Sequence, residues 1–243
     1  MKQAQPNGHV RKRTLSSVIT SQLRQRITDG TYPPGSQLNE VEIAKQFSTS
    51  RGPVREGMQR LVQEGLLVSH PHRGVFVPVL TYDDVKDLLL ARAAIERAAM
   101  LELSRRGLPA ATIASLEQVL GQMAVAIDNG DWSGVASADL QFHEEIVHAA
   151  GSPRLSRMYG ALIGEARLGI NILVSSMDGR SDYLEEHRRI FDMLTNGDRQ
   201  ALLAELDRHI GVGLRTIRHE LGADQEGPEA DLEPYVGTEP STR

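Results

Sequence analysis

Between Asp84 and Leu221 apolar residues recur at three- and four-residue steps, interrupted only by short Gly-bearing breaks. This periodicity constrains the chain most, because every amphipathic helix has one stripe that must be buried against another element. The breaks fall at Gly107-Leu108-Pro109, Asn129-Gly130-Asp131, Gly151-Ser152-Pro153, Asp178-Gly179-Arg180 and Asn196-Gly197. They divide the stretch into helices over Asp84–Arg106, Ala110–Asn129, Trp132–Ala150, Pro153–Ser176, Ser181–Asn196 and Asp198–Leu221. Six helices with short connections pack as an antiparallel bundle. Aromatic residues make up only 4% of the chain, so the core must come from Leu, Ile, Val, Ala and Met, which favours helices over a β-sandwich. A length of 243 residues leaves room for a second domain.

The N-terminal third reads differently. Leu15, Val18, Ile19, Leu23 and Ile27 mark one face of a helix, which Gly30 and a Tyr32-Pro33-Pro34-Gly35 turn close. A short helix over Glu40–Phe47 follows, with Asn39 as N-cap and Val41, Ala44 and Phe47 inward. Ser50 caps a third helix with Pro53 in its first turn, Val54, Met58, Leu61 and Val62 on its buried face, and Gly65 at its end. Leu66–His70 and Val75–Pro78 flank a turn at Pro71-His72-Arg73-Gly74 and read as a β-hairpin. The expected fold is therefore mainly α. It has an N-terminal winged helix-turn-helix over residues 14–79, a linker, and a C-terminal antiparallel all-helical bundle of about six helices over residues 84–221. Residues 1–13, with Lys2, Arg11, Lys12 and Arg13, are expected to form a disordered basic arm, and the Asp- and Glu-rich residues 222–243 a disordered acidic tail.

Charge separates the same two parts. Residues 1–80 hold 11 Lys or Arg against 5 Asp or Glu, whereas residues 81–243 hold 16 against 27. A basic N-terminal third joined to an acidic remainder is the outline of a nucleic-acid reader with a separate second module. The absence of cysteine excludes disulfides, thiolate zinc sites and a cysteine nucleophile. No continuous apolar run approaches the ~20 residues that span a bilayer, and the polar first residues do not read as a secretory signal. The expected location is the cytoplasm, without a membrane partner.

Arg51 and Arg55 lie one turn apart near the start of the third helix, so they share a face. Placed in a major groove, each guanidinium can donate two hydrogen bonds to guanine. The amides near Ser50 favour a phosphate, and His72, Arg73 and Gly74 at the hairpin tip would meet the adjoining groove or backbone. The alternative is that both arginines are surface residues, with Arg55 paired to a carboxylate. At Pro34-Gly35-Ser36-Gln37-Leu38-Asn39-Glu40, Ile43-Ala44, Ser50-Arg51-Gly52-Pro53-Val54-Arg55-Glu56, Glu64-Gly65-Leu66 and Gly74-Val75-Phe76-Val77 the chain resembles the GntR family of bacterial transcription regulators. It departs from the family at Val41, where many members carry a DNA-contacting Arg. The resemblance implies binding of double-stranded DNA at an inverted-repeat operator by a homodimer.

The bundle carries His143, His148, His187, His209 and His219. Asp139 and His143 are four residues apart on one predicted helix, and His187 and His209 lie on two others. Asp139, His143, His187 and His209 can converge on one cavity, and such a set suits Zn²⁺, Ni²⁺, Mn²⁺ or Fe²⁺. On spacing alone they can equally be ordinary helical histidines; His148 and His219 read that way. Residues 84–221 are similar to the FCD ligand-binding domain of the FadR-type branch of the GntR family, through Asp139-x-x-x-His143, Glu186-His187-Arg188 and His209. The resemblance implies a divalent metal held by Asp139, His143, His187 and His209, with zinc first and nickel, manganese or iron as alternatives. It also implies a small organic acid effector met by Arg92, with Arg167 as a further candidate. Arg92 can instead pair with Glu96 one turn on. Ser152 stands where that domain commonly has Asn. The combined expectation is a DNA-binding regulator, a repressor relieved by a carboxylate, and not an enzyme. A metallohydrolase or a protein-binding winged-helix adaptor are the rival readings.

Overall fold

The computed structural model describes residues 14–175 and 182–223. The expected arm at residues 1–13, the break at Asp178-Gly179-Arg180 and nearly all of the expected tail lie outside the described residues. The N-terminal unit runs α1 (Leu15–Thr28), β1 (Gln37–Leu38), α2 (Glu40–Gln46), α3 (Arg51–Gln63), β2 (Val68–His70) and β3 (Gly74–Phe76). Thr14 and Asn39 cap α1 and α2 by accepting from backbone amides one turn in. Ile19, Leu23 and Ile27 of α1 close over Val54, Met58 and Leu61 of α3, and all six are nearly or fully buried.

Two inward assignments fail here. Val41 is 42% exposed and Leu15 51% exposed. Each occupies the first turn of its helix, where the side chain lies beyond the edge of a small core; Ile43 and Ala44 are the buried pair of α2. The hairpin gains a third strand that the sequence did not signal. β1 pairs antiparallel with β3, in the order β1-β3-β2 and the register Gln37 to Phe76. Two residues are too short for an alternating pattern to appear.

The bundle consists of α4 (Tyr82–Arg106), α5 (Ala110–Asp128), α6 (Trp132–Ala149), α7 (Pro153–Ser175), α8 (Asp182–Asn196) and α9 (Arg199–Glu220). α4 starts two residues earlier than the apolar pattern implies, because Thr81 and Asp84 form a reciprocal capping box. α5 carries only Glu117 and Asp128 as charges and is, by length and composition, apolar enough to cross a bilayer. Gln and Gly interrupt it, so no continuous apolar run announced this. Here its Leu116, Val119, Leu120 and Met123 are buried in the bundle core, against α6 and α8.

The two units meet on α7. Leu168 sits in the core of the N-terminal unit beside residues of α1 and α3. Asn171 Nδ2 donates to Thr28 O at the end of α1, 3.1 Å away. One turn before Leu168, Gly164 lies so close to Glu64 that a Cβ there would overlap the Glu64 carbonyl oxygen. Gly164, Leu168 and Asn171 fall at four- and three-residue steps, so one face of α7 carries the junction.

Gly164→Ala should therefore separate the units while favouring α7 itself by about 1 kcal/mol in helix propensity. The chain has no cysteine, so Gln25→Cys and Gln122→Cys give one pair of spin labels per protomer, read in labelled protein diluted with unlabelled chain. A single distance that broadens or shifts in Gly164→Ala is expected; an unchanged distribution would show that this contact does not set the orientation.

Candidate metal centre and nucleic-acid interface

The two arginines of α3 do share a face, and both turn to the same carboxylate. Arg55 Nε and Nη2 donate to Glu40 Oε1 and Oε2 at 3.0 and 2.9 Å, and Arg51 Nη2 reaches Oε2 at 3.4 Å. Both side chains remain more than half exposed, so the pairing holds them at the surface rather than burying them. Ser50 is the N-cap of α3 and makes no side-chain capping bond. At the wing tip His72 adopts φ 60° and Gly74 φ 109°. Gln37 Nε2 donates to Arg73 O at 2.8 Å and ties the tip to β1. A side chain at Gly74 would strike that amide, so the wing needs glycine there.

In the bundle, Asp139 and His143 of α6, His187 of α8 and His209 of α9 come together. All four are buried, and one ligand atom from each lies within 4.8 Å of every other. His187 Nδ1 lies 2.9 Å from Tyr183 O. A carbonyl can only accept, so this nitrogen carries a proton, and Nε2 presents its lone pair whenever the ring carries no second one. That Nε2 is 3.0 Å from Asp139 Oδ1, which already accepts from the Tyr183 hydroxyl at 2.6 Å. His209 Nδ1 is likewise engaged, 3.1 Å from Glu186 Oε2. His143 Nδ1 lies 2.8 Å from Glu96 Oε2, out of hydrogen-bond alignment, and its Nε2 faces Asp139 Oδ1 at 3.9 Å.

The set fits a cation by its own chemistry. Among the described residues, Asp139 Oδ2 and His143 Nε2 are buried without a protein hydrogen-bond partner, a costly state unless another group supplies one. Burial pushes the Asp139 carboxyl up, but the His187 hydrogen bond, His143 and Arg92 outweigh it and hold it well below the usual carboxylate range. Burial likewise opposes ionisation of Glu96, yet His143 and Arg92 bring it to about 2. Burial lowers His209 to about 4 against the pull of Glu186, so this ring is neutral at pH 7 and able to ligate. With neutral imidazoles, Arg92 offsets only one of the two fully buried carboxylates, Glu96 and Asp139. A lone-pair nitrogen facing an ionised oxygen at 3.0 Å is repulsive until a cation or proton lies between them.

Beside the cluster is a cavity of about 280 Å³. Arg92, Asp139, His209, Glu186 and Arg208, with Asp182 and Tyr183, supply its polar wall, and Leu89, Ile170, Leu173 and Ile210 much of its apolar wall. Arg92 is 2% exposed. The sequence left it a choice between Glu96 and the cavity, and it does both, with Nε donating to Glu96 Oε1 at 3.1 Å while it lines the space. Burial opposes its charge, and Tyr159, Glu96 and Asp139 more than restore it. Arg167 is placed elsewhere. Its guanidinium leaves α7 toward α6 and donates to Ser137 Oγ at 3.0 Å, and it is not among the lining residues. His148 is half exposed near Glu144, away from the cluster.

Comparison with known proteins agrees with this two-part architecture. The family described as bacterial regulatory proteins, gntR family, matches residues 15–77, and the FCD domain matches residues 87–212. The chain belongs to the GntR family, with an FCD domain. Among similar proteins, the probable D-xylose utilization operon transcriptional repressor of Paenarthrobacter nicotinovorans is 32% identical over 216 residues, covering 87% of this chain and 94% of that one. The HTH-type transcriptional regulator YdhC of Bacillus subtilis is 29% identical over 211 residues, 86% of this chain and 92% of its own. A solved structure described as a transcriptional regulator GntR from Rhodococcus sp. RHA1 superposes with a TM-score of 0.73 at 28% identity, over 84% of this chain and 97% of that one. As a GntR regulator, the protein is a DNA-binding transcription factor and not an enzyme. Sequence reasoning assigned no site role to Glu40, Glu96, Tyr183, Glu186 or Arg208. Of these, Glu96 stands at a spacing that announces a partner, Arg92 one turn before it; its approach to His143, and the site contacts of the other four, are delivered by the tertiary fold.

Proposed function

We propose that this regulator is a cytoplasmic homodimeric repressor whose operator affinity is set by a small organic acid bound beside a divalent metal. The observation that carries the reading is the buried Asp139, His143, His187 and His209 cluster, with two orphaned ligand atoms, opening on a cavity that Arg92 also lines. Three imidazoles and one carboxylate suit zinc first, and nickel, manganese or iron next. When bound, such an ion supplies a Lewis-acidic position for an effector carboxylate. Arg92 then orients that carboxylate from the α4 side, while Leu89, Ile170 and Leu173 exclude water around the remainder of a small molecule.

At the other end, Arg51 and Arg55 present two forks to base edges, with Ser50 and the His72-Arg73-Gly74 wing against the backbone. Glu40 holds both forks at the surface before DNA arrives. One such head reads a short half-site, so pairing of heads on an inverted repeat supplies operator affinity. The relative named as a repressor supports repression for this chain. α7 gives the two ends a shared element, since Ile170 and Leu173 line the cavity while Leu168 and Asn171 touch the head. An acid that fits the cavity better in one arrangement of α7 than in another shifts the heads by that difference alone.

Genomic selection of bound fragments identifies the operator and its half-site spacing. Arg55→Ala should then cost about 1–3 kcal/mol per half-site and relax base preference; an unchanged footprint would remove Arg55 from base readout. Operator affinity should also fall steeply with salt through counterion release, and a flat titration would contradict the phosphate contacts. On the ligand side, His187→Ala should strip most of the metal from the purified protein and abolish its stabilisation by added zinc. Full metal content by elemental analysis would discard the centre.

A further inference from the structure

Two of the three cluster histidines are backed by a carboxylate, and in both cases the same carboxylate also holds an arginine of the cavity wall. Glu96 accepts from Arg92 Nε through Oε1 at 3.1 Å, and its Oε2 lies 2.8 Å from His143 Nδ1, close enough to pair with the ring though not in hydrogen-bond alignment. Glu186 accepts from Arg208 Nη1 through Oε1 at 3.4 Å and meets His209 Nδ1 through Oε2 at 3.1 Å. The third ring, His187, is backed by the Tyr183 carbonyl instead of a carboxylate. Arg92 and Arg208 line the same cavity.

We propose that Glu96 and Glu186 are positioning residues that bridge the cavity arginines to the metal-ligating imidazoles. The inference rests on the metal-centre reading above. A carboxylate on Nδ1 fixes the tautomer, aims Nε2 at the centre and raises its basicity, and losing such a partner typically lowers metal affinity by about 10- to 100-fold. Here each carboxylate also shares its charge with a guanidinium. An acid that draws Arg92 or Arg208 toward itself leaves more of that charge on the imidazole. Effector and metal are then coupled without touching, and the coupling acts equally in both directions. The two bridges differ in access. Glu96 is fully buried and also accepts from the Tyr159 hydroxyl at 3.1 Å. Glu186 sits at the cavity wall beside Arg208, whose side chain is 39% exposed and also held by Glu205.

The test uses the full chain, with zinc affinity measured against a chromophoric chelator and the ligand field read from the visible spectrum after Co²⁺ loading. Glu96→Gln and Glu186→Gln should each weaken zinc by about 10-fold or more and move the Co²⁺ bands, and Glu186→Ala should weaken it further. Arg208→Gln should move the bands without removing a ligand. Glu96→Gln is the variant most exposed to misfolding; Glu186→Gln, at the cavity wall, keeps the test standing. Unchanged zinc affinity and Co²⁺ spectra in both Gln variants, or a spectrally silent Arg208→Gln, would overturn the bridge while leaving the centre intact. Failure of the parent protein to bind either ion would overturn the centre and the bridge together.

Discussion

The structure depends on how three charged side chains are kept ionised inside an apolar bundle. Arg92, Glu96 and Asp139 are all at most 2% exposed, and each is tolerable only because the others and their hydrogen-bonding neighbours are in place. Arg92 leans on Glu96 and lies 3.9 Å from Asp139, Tyr159 and Tyr183 donate to the two carboxylates, and three rings close the remaining sides. Leu, Ile or Met in these positions would satisfy a bundle at no electrostatic cost. An arginine, two carboxylates and three imidazoles at its centre therefore cost the bundle stability that an apolar core would not.

The helices that deliver this cluster also connect it to the N-terminal unit. α7 belongs to two cores at once: Ile170, Leu173 and Val174 pack in the bundle, and Leu168 packs among the residues of α1 and α3. Gly164 lets the α3 end approach the α7 backbone without an intervening side chain. The reading head is thus seated on the wall of the cavity rather than hung from a linker. On the head itself, one glutamate, Glu40, gathers both arginines of α3 and presents them together. A surface salt bridge of small worth in energy here holds two guanidinium groups side by side.

Much of this was legible in the chain because helices and their stops are local. Apolar spacing located the bundle helices to within two residues at every described boundary, and Asn39, Ser50 and Gly65 marked the ends of the short ones. The shared face of Arg51 and Arg55 was legible because they lie a single turn apart, and one turn is a local relation. The same reasoning failed where position on a helix does not decide direction. Val41 and Leu15 look inward by type yet project past a small core, β1 is too short to show alternation, and Arg167 turns to Ser137 instead of the cavity.

The sequence by itself determined the helices, the wing and the charge asymmetry, since these follow from periodicity, turn chemistry and residue type; the set at 139, 143, 187 and 209 came from the resemblance to the FCD domain, because helical spacing alone left its three imidazoles as ordinary histidines. Only the tertiary structure decided which atoms meet. Glu96 behind His143, Glu186 behind His209, Glu40 beneath both arginines and Gly164 against Glu64 are pairs that no local spacing relates. Their geometry exists only after distant helices have packed.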